Sequence, residues 1–128
     1  MRAIFGLLLM AIPALSQQAQ ASQQARQKDI RFFDDRVAPI LEKRCLPCHN
    51  EELKNANISF LNRDSLLSGG TYGPALIPGR PDQSLLILTL RHEGELQMPP
   101  GPKLPSKEIA ILTAWIKRGA IWGTGLHK

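Results

Sequence analysis

Ile30, Phe33, Val37, Ile40 and Leu41 recur every three or four residues, the spacing of one apolar helix face. They predict an amphipathic helix from near Asp29 up to Arg44. Pro39 sits inside that run. It lacks an N–H and crowds the preceding turn, so the helix either kinks there or begins late, near Asp35. A second stripe, Ile109, Leu112 and Ile116 with Trp115 at its edge, predicts a helix that is well signalled at both ends. Ser106 is its expected cap and Glu108 suits the positive N-terminal end. Lys117 and Arg118 suit the negative end, and Gly119 stops the run.

Between these stripes the pattern weakens. Residues 50–83 are rich in Asn, Gly, Pro and Ser and lack periodicity, apart from a short helix expected over Arg63 to Ser68 that Gly69-Gly70 would end. Ser84 is the expected N-cap of a helix over Leu85 to Arg91, and Pro99-Pro100-Gly101-Pro102 cannot be regular helix. No segment alternates polar and apolar as a paired strand would. The predicted class is a small all-α fold of three to five helices joined by long loops.

The first residues read as an export signal, residues 1–21. Arg2 supplies the positive start, Ala3 to Leu15 the short apolar stretch, and Ala19-Gln20-Ala21 the small-x-small cleavage pattern. A retained membrane anchor is the alternative, weakened by the shortness of the run and by Pro13. Residues 22–28, in a Gln, Ala and Ser-rich stretch, are expected to be a disordered lead-in, and residues 29–128 one domain. A formal charge of +5 suits docking onto acidic protein partners. The basic residues are too scattered, and too little interleaved with aromatics, to suggest nucleic acid.

The chemistry is concentrated in Cys45-Leu46-Pro47-Cys48-His49, which holds both cysteines of the chain. Two thiols three residues apart share one side of a helical turn, and an imidazole follows at once. That C-x-x-C-H pattern suits two thioether bonds to the edge of a porphyrin, with the histidine as proximal iron ligand. Three other readings use the same cysteines. A thioredoxin-like pair requires a βαβ context that is missing here. A disulfide across so short a loop gains little entropy. A zinc site lacks the familiar H-x₃₋₅-H partner. A haem would also supply the core that so loop-rich a chain cannot easily build from side chains, so the apoprotein is expected to be poorly folded.

A second axial ligand has few candidates. Met98, stiffened by the prolines after it, is the leading one. His92 would give a bis-histidine iron, and His127, beside the C-terminus, reads as a surface residue. For the ring of His49, the carbonyl of Pro74 is the expected hydrogen-bond partner.

Taken in order, Cys45-x-x-Cys48-His49, Gly73-Pro74-x-Leu76, Met98 and a helix with Trp115 resemble a class I cytochrome c. The likeness narrows to the planctomycete-type cytochrome c domain through Val37-Ala38-Pro39-Ile40-Leu41, Gly69-Gly70, Pro78-Gly79-Arg80-Pro81, Ser84-Leu85-Leu86, Met98-Pro99-Pro100 and Trp115-Ile116-Lys117-Arg118-Gly119-Ala120. It covers about residues 32–122. The resemblance implies one covalently attached haem c on Cys45 and Cys48, with His49 and Met98 on the iron, and electron transfer in the periplasm without bond chemistry. Such domains are often the front part of larger exported proteins, so both a free-standing carrier and a module beside an enzyme remain open. A haem enzyme or gas sensor with an open distal site, recruiting Arg91-His92, is the functional alternative. A non-haem interaction module is the third.

Overall fold

The computed structural model describes residues 12–126. Arg2, most of the predicted signal's apolar stretch and His127 lie outside the described residues. Helix α1 spans Ile12–Phe32, α2 Ala38–Arg44, α3 Arg63–Ser68, α4 Leu85–Leu90 and α5 Ser106–Lys117. Single 3₁₀ turns at Asn55–Asn57 and Pro81–Gln83 punctuate the loops. Among the described residues there is no strand, only two isolated bridges, His49 to Lys54 and Gly70 to Gly73. The all-α expectation holds. Among those residues no helix is long and apolar enough to cross a membrane.

Pro39 is accommodated by a widened turn. Phe33–Val37 forms one π-helical turn between α1 and α2, and the proline falls in the first turn of α2. There proline is best tolerated, and just before it the Ala38 N–H reaches back to the Phe33 carbonyl across the widened turn. The wider turn rotates Phe33, Val37 and Leu41 onto one fully buried face. This face meets Leu112, Trp115 and Ile116 of α5. Phe33 lies 4.4 Å from the ring of Trp122 and 5.7 Å from that of Trp115. Trp115 is therefore central, although its place in the stripe suggested an edge. The tail after Gly119 folds back and walls in that side of the indole, and Trp115 Nε1 donates to the Ile121 carbonyl at 2.8 Å.

The tail is held at both ends. Arg63 Nε donates to the Ala120 carbonyl at 2.8 Å, and Asp34 Oδ1 accepts from the Gly125 N–H at 2.7 Å. Helix α3 has the predicted bounds, capped by the Asn62 side chain, which accepts from the Ser65 N–H at 2.8 Å. Gly69 ends it at φ +79°, a conformation that disfavours side chains.

Three expectations need correction. Residues 22–28 are not irregular: they form part of α1. Ala, Gln, Arg and Lys all favour helix, and low hydrophobicity alone does not prevent a helix whose end is anchored. The anchors are the Arg118–Asp29 ion pair at 2.8 Å and the Arg118 guanidinium 4.4 Å above the Phe32 ring. Ser84 occupies the N-cap of α4 but its hydroxyl does not cap it. Fully buried, it accepts from the Ile77 N–H at 2.9 Å and donates to the Arg80 carbonyl at 2.9 Å, tying down the 77–80 loop. Ser106 is the first residue of α5 rather than its cap, a position taken by Pro105.

Candidate functional site

The cysteine motif continues α2 by one turn. Cys45 and Leu46 N–H groups both bond the Leu41 carbonyl, at 3.0 and 2.9 Å. The Cys45 carbonyl in turn accepts from Cys48 at 3.2 Å and His49 at 2.9 Å. Both thiols and the imidazole thus stand on one turn, as the spacing predicted. The chain then reverses through Asn50, whose side-chain oxygen accepts from the Glu52 and Leu53 N–H groups at 2.9 and 2.7 Å. That reversal delivers the Asn55 carbonyl to His49 Nδ1 at 2.9 Å. A carbonyl can only accept, so Nδ1 donates here, which leaves Nε2 as the ring nitrogen available to a metal.

Asn55 therefore takes the place assigned to Pro74. Pro74 is exposed, and the Ala75 and Leu76 N–H groups bonded to the Leu66 carbonyl turn the chain so that Gly73 and Ala75 face the interior instead. The expectation failed because the partner is a backbone carbonyl, whose identity no side chain announces. The Asx-type turn at Asn50, directly after His49, was the available signal.

All three motif residues line one open cleft with a cavity volume of about 130 Å³. Leu86, Thr89 and Leu90 of α4 form another part of its wall, and Met98 another. The walls are almost wholly apolar. The Met98 backbone is fixed on both sides: its N–H bonds the Thr89 carbonyl at 3.1 Å, and its carbonyl meets His92 Nε2 at 3.1 Å. His92 is absent from the lining of the cleft, since its ring is turned onto Met98 instead. Arg91, its neighbour, pairs outward with Asp82 at 3.1 Å.

The two thiols are free and differ sharply. Cys48 is exposed, whereas Cys45 is buried, and burial, reinforced by the charge of Glu108, pushes its thiol up to about 12. Such a thiol is a poor thiolate at neutral pH, which speaks against a dithiol redox couple. Glu108 is present because it receives a two-pronged contact from Arg44, at 2.9 and 3.2 Å, joining the end of α2 to the start of α5. This pairing across 64 residues was invisible in the sequence pattern.

Among the described residues no three His, Cys, Asp or Glu side chains gather as a metal cage. What gathers is two thiols, an imidazole with Nε2 free and a thioether, around an apolar slot. That donor set fits a porphyrin anchored through sulfur, with nitrogen and sulfur available to its iron.

A helical fold closed around such a cleft, with C-x-x-C-H on its rim, is that of a c-type cytochrome. Residues 45–102 match the family model described as Planctomycete cytochrome C, which supports a planctomycete-type cytochrome c domain over that stretch. Covalently bound haem c belongs to that family. Neither the curated proteins nor the solved structures compared with the chain give a match.

Proposed function

We propose that this protein is a monohaem electron carrier working outside the cytoplasmic membrane, after removal of residues 1–21. Cys45 and Cys48 hold the haem by thioether bonds, His49 Nε2 is the proximal ligand and Met98 Sδ the distal one. Bound haem c supplies one-electron Fe(III)/Fe(II) exchange. The observation that carries this reading is the meeting of all four side chains at one apolar cleft.

Each residue has a definite task. The turn over Cys45–Cys48 fixes both sulfurs on one edge of the cleft. Asn55 holds the imidazole at Nδ1, which sets the tautomer and limits rotation of the ring. Leu86, Leu90 and Leu104 keep water from the interior and leave an exposed rim beside Cys48 and Tyr72. A thioether favours the ferrous ion more than a second imidazole would, so Met98 biases the site toward a relatively high potential. Removal of residues 1–21 takes Arg2 from a chain of formal charge +5, and the positive balance that remains suits redox partners with acidic docking surfaces.

A haem enzyme or gas sensor would require an open iron position and polar catalytic groups beside it. Arg91 and His92, the pair suited to that role, are committed to Asp82 and to the Met98 carbonyl. The matured protein should accordingly be low-spin in both oxidation states and take up carbon monoxide only slowly when reduced. Rapid uptake at neutral pH by a five-coordinate ferrous form would favour the enzyme or sensor reading instead.

A further inference from the structure

We infer that His92 is a positioning residue for the distal ligand: its ring clamps the Met98 carbonyl and so holds the thioether in the cleft. The inference rests on Met98 being that ligand.

His92 follows the C-cap of α4, Arg91, at φ +56°. This is the left-handed position after a helix, where glycine or asparagine is usual and other side chains cost about 1–2 kcal/mol. A histidine there needs a compensating contact. It has one in the bond from Nε2 to the Met98 carbonyl, 3.1 Å long and half-buried. The acceptor is a carbonyl, so Nε2 donates.

The Thr89 carbonyl takes both the His92 N–H at 3.2 Å and the Met98 N–H at 3.1 Å. Thr89 is itself fixed, its hydroxyl donating to the Leu86 carbonyl at 2.8 Å. Residues 92–98 thus form a loop whose two ends share one anchor on α4, with the His92 ring as a second tie. Glu93, Gly94 and Glu95 between them are exposed, so Leu96 at the cleft wall is left to supply the loop's apolar packing. Methionine is a flexible side chain with three rotatable bonds. If its backbone also moved, the thioether would spend less time at the iron and an added ligand could compete.

Two substitutions separate positioning from mere loop stability, because they rank oppositely. Asparagine tolerates the left-handed backbone, but its short side chain ends before reaching the Met98 carbonyl. Glutamine extends about as far as a histidine Nε2 and can donate, yet it bears the same backbone strain. In the haem-loaded protein, His92→Asn should therefore raise the affinity of the ferric form for added imidazole by about five- to tenfold, the worth of one hydrogen bond. His92→Gln should stay within about twofold of the parent. Urea unfolding should rank them the other way, with His92→Asn at least as stable as His92→Gln.

Equal imidazole affinity in both variants, or a ranking that follows urea stability, overturns the inference. So does loss of a nitrogen ligand from the spectrum of both variants, which would make His92 itself a ligand. Failure of the underlying assignment reads differently: the parent protein would then lack the long-wavelength sulfur-to-iron band before any substitution, and the clamp would have no ligand to position.

Discussion

Met98→Ala should leave the haem attached while lowering its potential by on the order of 0.1 V or more, within the ~0.8 V span that axial ligands command. In the proposed site Cys45 and Cys48 hold the haem from a different segment, so the variant should keep its haem through acid–acetone extraction. The iron loses a soft sulfur donor that favours the reduced ion, and the ferrous state loses most by that change. Among the described residues no second histidine or methionine lines the cleft to replace it. The ring of His92 is turned onto the Met98 backbone, and the remaining wall nearby is Leu86, Leu90 and Leu96. The oxidised variant should lack the weak long-wavelength sulfur band, and its reduced form should bind carbon monoxide readily. An unchanged spectrum and potential, measured by redox titration, would assign the sixth ligand to some other group.

Gly70→Ala should destabilise the haem-loaded protein by about 3–5 kcal/mol, a large share of the ~5–15 kcal/mol that a domain has in total. A Cβ on Gly70 would run into the carbonyl oxygen of Ala56. That atom is backbone and already accepts from the Thr71 N–H at 2.8 Å, so it cannot yield as a flexible side chain could. Gly69 is as constrained: at φ +79° its Cβ would meet the Gly73 carbonyl. The Gly70 and Thr71 contacts hold the 69–73 loop against the Asn55–Asn57 turn, whose first carbonyl holds His49. Displacing the turn would loosen the imidazole as well as the wall. Gly101→Ala, where a Cβ meets nothing within 4 Å, is the matched control and should change stability by under about 0.5 kcal/mol. Urea unfolding followed through the haem band compares them, and a Gly70→Ala protein as stable as the control would refute the close packing of this wall.

Local signals predicted much of this architecture. The bounds of α3, the stop at Gly119 and the placement of both thiols on one turn all follow from caps, glycine and helical spacing. So does the fold class, because no stretch alternates like a strand. Helix α1 was misjudged where polarity and helix propensity conflict: its Ala and Gln residues favour helix while supplying no apolar stripe. Trp115 looked peripheral because its burial depends on Trp122 and the returning tail, contacts made from beyond the helix. Ser84 was assigned the commonest task of a serine before a helix, yet a loop seven residues earlier had stronger need of its hydroxyl. In the candidate site, the four side chains that the sequence singles out, Cys45, Cys48, His49 and Met98, all line the cleft. The supports that act through backbone carbonyls, Asn55 above all, emerged only once the chain was folded.

The central claim is that Cys45 and Cys48 bind one haem covalently in this cleft. The intact mass of protein exported from a host with haem-maturation machinery, taken after acid–acetone extraction, tests it most directly. The chain plus a single haem, still coloured after extraction, is the predicted result. A colourless product at the mass of the bare polypeptide would contradict it.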